Sequence, residues 1–97
     1  MQNEEMNNIK IQIQKVMDLV NQKKNKREHK FLDTLLDRLQ KLLETVNDID
    51  DINDLRKYSN LRGALRAYFD TNLIESYDEP LVIELDKLEI MLQQRTN

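Results

Sequence analysis

Apolar residues recur along this chain at steps of three and four, the spacing that lines one face of a 3.6-residue helix. Met6, Ile9, Ile13, Val16, Met17 and Val20 form the first such set and predict a helix over residues 4–23. Lys23, Lys24, Lys26, Arg27 and Lys30 follow, cations suited to the negative end of a helix dipole, and Asn25 points to a turn near 24–27. Phe31, Leu32, Leu35, Leu36, Leu39, Leu42, Leu43 and Val46 then give the broadest stripe and a helix over 28–46. That stripe is wider than a two-stranded coiled-coil seam, so this helix is expected at the centre of a bundle with two or more neighbours.

The run Asn47 to Asp54 interrupts the pattern with Asp and Asn, whose side chains bond nearby backbone N–H groups and favour turns and N-caps. Helical spacing resumes with Ile52, Leu55, Tyr58, Leu61, Leu65, Tyr68 and Phe69, which predicts a third helix over 51–71. Gly63, Ala64 and Ala67 sit inside it as a small-residue patch. A mid-helix glycine costs about 1 kcal/mol relative to alanine, so the patch is read as a place where another helix approaches closely. Pro80 fits the first turn of a fourth helix over 80–93, where its missing N–H has no intrahelical partner to lose. Leu81, Leu85, Leu88 and Leu92 form that helix's seam, with Val82 and Met91 beside it and Glu84, Asp86 and Glu89 assigned to water.

Four amphipathic segments with short connections predict an all-α protein, an antiparallel four-helix bundle occupying residues 1–97 as a single domain. Leu35, Leu39, Leu42, Leu65, Leu85 and Leu88 are the expected core. Composition supports the helical class, because one Gly and one Pro are too few for the tight turns of a β domain. The absence of cysteine removes disulfide staples and thiolate chemistry and favours a reducing compartment. The opening residues lack the pattern of a signal peptide, and the longest aliphatic runs are triplets such as Leu81 to Ile83. A cytoplasmic location is therefore expected.

The net charge of -3 is unevenly spread: residues 1–47 hold nine Lys/Arg and seven Asp/Glu, or +2, and residues 48–97 hold six and eleven, or -5. The basic run Lys23 to Lys30 has no interleaved aromatics, so an interhelical turn is favoured over a nucleic-acid site, and contact with an anionic membrane surface or an acidic partner stays open. An EF-hand loop beginning at Asp48 needs Gly at 53 and Glu at 59, where Asn53 and Ser59 stand. Helix capping by Asp48, Asp50, Asp51 and Asp54 is the better reading, and no metal or cofactor is expected. His29 is the sole histidine and stands without a nearby second ligand, so it is read as a surface residue. With neither a nucleophile nor a base pairing in view, no catalytic site is assigned.

A partner surface is the remaining class. Tyr58, Tyr68, Phe69 and Tyr77 place four of five aromatics in the C-terminal half, with Arg56, Arg62 and Arg66 on the same predicted helix. Tyr and Arg are common interface anchors, and Tyr58, Arg62, Arg66, Tyr68 and Tyr77 are the candidate contacts. The alternative for each ring is that it covers the core edge with its hydroxyl reaching water.

Residues 71–88, Thr-Asn-Leu-Ile-Glu-Ser-Tyr-Asp-Glu-Pro-Leu-Val-Ile-Glu-Leu-Asp-Lys-Leu, resemble the end of helix 3, the connection and helix 4 of the enterocin A type immunity proteins. These belong to the pediocin-like, class IIa, bacteriocin systems. The similarity extends to chain length, lack of Cys and an acidic break before an aromatic-bearing helix, here Asp50 to Phe69, although this chain has fewer aromatics. The resemblance implies a cytosolic bundle that protects the producer cell by recognising a sugar-transporter permease already engaged by the bacteriocin, with the C-terminal half setting which bacteriocin is resisted. Two other classes are consistent with the composition. A helical adaptor or secretion chaperone would offer the wide face of the second helix to a partner helix. A phage or regulatory nucleic-acid-binding protein would use Lys23 to Lys30.

Overall fold

In the computed structural model, which describes residues 4–49, 61 and 63–93, four helices follow in order. They are α1 (Glu4–Lys26), α2 (Lys30–Asp48), α3 (Ala64–Phe69) and α4 (Pro80–Gln93), and the described residues contain no strand. Among the described residues the regular structure is all α-helical, as the periodicity predicts.

α1 begins on Glu4 and Glu5 and ends on Lys23, Lys24 and Lys26, so acids lie at the positive end of its dipole and cations at the negative end. Those cations carry the helix through Lys26, and the turn expected at 24–27 falls at Arg27 to His29 instead. His29 is not simply a solvated side chain. Its Nδ1 accepts the Phe31 N–H at 3.0 Å while its backbone is extended, which makes it the N-cap of α2. α2 closes where the Ile49 N–H reaches back to the Thr45 carbonyl.

Met6, Ile9, Ile13, Val16 and Val20 of α1, Leu32, Leu35, Leu39, Leu42 and Val46 of α2, and Leu81, Val82, Leu85, Leu88 and Leu92 of α4 form one buried core. Leu65 is half-buried against it and does not lie within it, whereas the other five predicted core leucines are buried. α1 packs broadly against both α2 and α4, and α3 packs against α4. The central position expected for α2 turns on its contacts with the predicted third helix, most of which lies outside the described residues. Both stripes are covered along their inward positions and partly exposed at their flanks, Met17 and Leu19 on α1 and Phe31, Leu36 and Leu43 on α2.

The third helix departs from expectation. Residues 50–60 and 62 of the predicted 51–71 helix lie outside the described residues, and α3 itself starts only at Ala64. Gly63 precedes it in the left-handed region at φ 81°, a conformation that no helix interior adopts. A Cβ added there would meet no atom within 4 Å, and Ala67 is exposed, so neither marks a close helix–helix approach, whereas Ala64 is buried in the core. Glycine is required by backbone conformation. Gly63→Ala and Gly63→Leu should accordingly cost about the same, roughly 1–2 kcal/mol each, and Gly63→Asn less. Thermal melts of the three variants check this, since a packing role would instead make the loss grow with side-chain size.

Two carboxylates assigned to water are buried. Glu89 of α4 accepts the Gly63 N–H at 2.8 Å and the Leu65 N–H at 3.1 Å, and so caps α3, whose preceding glycine has no side chain to do so. Glu84 accepts from Gln12 Nε2 at 3.0 Å, and the same amide donates to the Glu84 carbonyl at 2.8 Å, with Lys15 and Lys87 at 3.5 and 3.6 Å. These bonds replace the water that both groups give up. Asp86 is exposed as expected.

Candidate functional site

α3 is only six residues long and delivers two adjacent rings to opposite environments. Tyr68 points inward. It is fully buried and stacks on Phe31 of α2 with centroids 5.7 Å apart and planes 13° apart. Its neighbour Phe69 points outward and remains 39% exposed. Phe69 meets Tyr77 edge-on at 5.4 Å, and Tyr77 is 78% exposed, which makes it the most exposed large hydrophobic among the described residues.

The segment joining these rings is bonded at several points. The Thr71 hydroxyl donates to the Tyr68 carbonyl at 2.7 Å and accepts the Leu73 N–H at 3.2 Å, and Leu73 is buried. Asp78 accepts from the Ser76 hydroxyl, whose oxygen in turn accepts the Asp78 N–H. The Arg27 guanidinium donates to the Asn72 carbonyl at 3.3 Å. Glu79 lies at the hub: its carboxylate accepts from Lys23 Nζ at 2.9 Å, from the Tyr68 hydroxyl at 3.1 Å and from the Glu75 N–H at 3.3 Å. The side chains of Lys23 and Glu79 are each only 11% exposed.

Burial holds the Tyr68 phenol well above its ordinary range, and the adjacent negative charge of Glu79 adds to the shift. The folded state thus binds the phenolic proton more tightly than the unfolded chain does. The stability this contributes is full below the ordinary tyrosine value of 10.0 and is lost as pH rises above it toward the raised value. Tyr68→Phe should flatten that alkaline loss in urea titrations run from pH 9 to 12. An unchanged slope would mean that the ring is not desolvated.

The five sequence-derived contacts therefore separate. Arg66 and Tyr77 are exposed and stay available to a partner, while Tyr58 and Arg62 lie outside the described residues. Tyr68 cannot touch a partner, because its ring fills the core and its hydroxyl is bonded to Glu79. Phe69 takes its place at the surface. The basic run is largely occupied: Lys23 holds Glu79, Lys24 pairs with Asp33 at 2.6 Å, Arg27 holds Asn72, and Lys26 and Lys30 stay exposed. Among the described residues no group of carboxylates and histidine is arranged to hold a metal ion, and no helix is long and apolar enough to cross a membrane.

Set against known proteins, the chain matches one family profile, that of the YeeD uncharacterised protein, over residues 3–97. No curated protein and no solved structure matches it.

Proposed function

The chain belongs to the YeeD family, and from the geometry of its own residues we propose that it is a helical partner-binding protein whose contact surface centres on Phe69 and Tyr77. The observation that carries this reading is the exposed aromatic pair itself. Burying a Phe or Tyr ring contributes about 1.5–3 kcal/mol, and two rings touching each other at the surface leave much of that unused in the isolated chain. Rings of this type, preorganised by bonded backbone, bind a partner with little ordering cost. Arg66, exposed three positions before Phe69 on the same short helix, offers a directional donor.

Within that reading we place bacteriocin immunity first. In it the helices form an antiparallel bundle in the cytosol, and the surface around Tyr77 engages a bacteriocin-bound permease. The support is the resemblance of residues 71–88 and the position of exposed Tyr77 inside that stretch, with its ring partner Phe69 two residues before the stretch begins. The nucleic-acid alternative loses three of its five cations to intramolecular partners, and the adaptor alternative loses the α2 stripe to the core.

Expression in bacteriocin-sensitive cells tests the proposal. Cells producing the protein should survive at least one pediocin-like bacteriocin, and Tyr77→Ala should abolish survival without changing the melting temperature. Absence of protection against all of them removes immunity and moves the adaptor reading to first place.

A further inference from the structure

Phe69 and Tyr77 are eight positions apart in sequence, yet their rings touch, so something must fix the path between them. The bonds within residues 70–78 fold the segment locally. Leu73, buried in the core, and Ile74 packed against it anchor the middle of the segment, and the polar link that fixes its two ends is made from the α1 side. Lys23 reaches across from its helix to the Glu79 carboxylate at 2.9 Å, to the Glu75 carboxylate at 3.9 Å and to within 6.0 Å of the Tyr68 ring centroid. One turn later, just past the end of that helix, Arg27 holds the Asn72 carbonyl.

We infer that Lys23 is the positioning residue of the Phe69–Tyr77 surface: by neutralising Glu79 it locks the 70–78 segment onto α1 and so sets where the two rings meet. The Glu79 carboxylate binds α1 through Lys23, α3 through the Tyr68 hydroxyl and the connection through the Glu75 N–H. With the ammonium gone, a nearly buried carboxylate keeps two neutral donors and no countercharge. Its cheapest relief is to swing into water. That movement releases the Tyr68 hydroxyl and the Glu75 amide together and with them the segment that carries Tyr77. The main core of α1, α2 and α4 does not depend on this link, because it is built from aliphatic side chains. The opening is therefore local.

For function this inference rests on the partner-binding reading above, but its physical content can be measured without a partner. In the full chain labelled for NMR, Lys23→Met keeps the stem and removes the charge. Its expected effects are loss of the ring-to-ring contacts between Phe69 and Tyr77 and about tenfold faster amide exchange at Thr71, Leu73 and Glu79. Exchange in the middle of α2 should stay within about twofold, and Lys23→Arg should restore both signals. Unchanged ring contacts and exchange in Lys23→Met overturn the inference. Equal loosening of α2 also overturns it, because Lys23 would then serve general stability only. If Lys23→Met does not fold, Lys23→Gln removes the same charge and reads the same amides, with the same outcomes deciding. In the sensitive-cell assay, Lys23→Met should lose protection as Tyr77→Ala does, although its side chain is too covered to meet a partner. Protection that survives in a variant with a released segment overturns the functional link. Wild-type protein that protects no cell removes the immunity reading and leaves the NMR result to judge the positioning role.

Discussion

Leu39→Ala is expected to lower the unfolding free energy by about 2–5 kcal/mol, the range for truncating a leucine in a well-packed core. Leu39 lies in the middle of α2 with no exposed surface and within the core that joins α1, α2 and α4. Two contributions add: the removed carbons lose their transfer free energy, and the neighbours close only part of the void. Helix propensity offsets little of this, since Ala and Leu differ by only about 0.2 kcal/mol. A domain of this size has roughly 5–15 kcal/mol in total, so one substitution removes a large share. Leu36→Ala is the control, because Leu36 is only half-buried and its loss should be smaller. Urea denaturation followed by helical ellipticity measures both. A loss below about 1 kcal/mol for Leu39→Ala would contradict the packing described here.

Where the fold was legible in sequence, the signal was local. The α1 positions 6, 9, 13, 16 and 20 alternate steps of three and four, and all five are buried. Pro80 marked the first residue of α4 because its chemistry fits only that position in a helix. What was missed depends on residues far apart in the chain. Glu84 was assigned to water because its partner Gln12 lies 72 residues earlier, and Glu89 because it bonds amides 24 and 26 residues away. Spacing nevertheless held a clue. Glu84 stands three after Leu81 and four before Leu88, and Glu89 four after Leu85 and three before Leu92, so both occupy the apolar face of α4. A carboxylate on such a face must be protonated, exposed or bonded, and here it is bonded.

The candidate surface divides along the same line. Tyr68 stands four after Ala64 and seven after Leu61, both buried, so its inward direction was readable from the stripe it continues. Its residue type, common at interfaces, argued the other way and was misleading. Phe69 lies one step, about 100°, around the helix from Tyr68, which turns it outward. The role of Gly63 could not be settled by composition, since a glycine in helical spacing is compatible with close packing and with a left-handed residue alike. Only the dihedral distinguishes them.

Glu79→Ala is expected to cost roughly 3–5 kcal/mol, which is large for a residue between two helices. Counting surface ion pairs would give well under 1 kcal/mol, but that figure applies to side chains that water screens, and here both partners are 11% exposed. The substitution removes one acceptor from three donors at once. Lys23 keeps only the distant and mostly exposed Glu75, the Tyr68 hydroxyl is left buried without its acceptor, and the Glu75 amide turns to solvent. Glu79→Gln should fall between wild type and Ala, because its amide oxygen still accepts from Tyr68 and Glu75 while the attraction for Lys23 is lost. If the cost arises chiefly from the stranded ammonium, adding Lys23→Met to Glu79→Ala should recover part of it, so that the double variant is more stable than the two single losses predict. Urea midpoints of the four proteins in the cycle measure this. Strict additivity, or a Glu79→Ala loss below about 1 kcal/mol, would show that Lys23 and Glu79 exchange freely with water and do not tie α1 to the 70–79 connection.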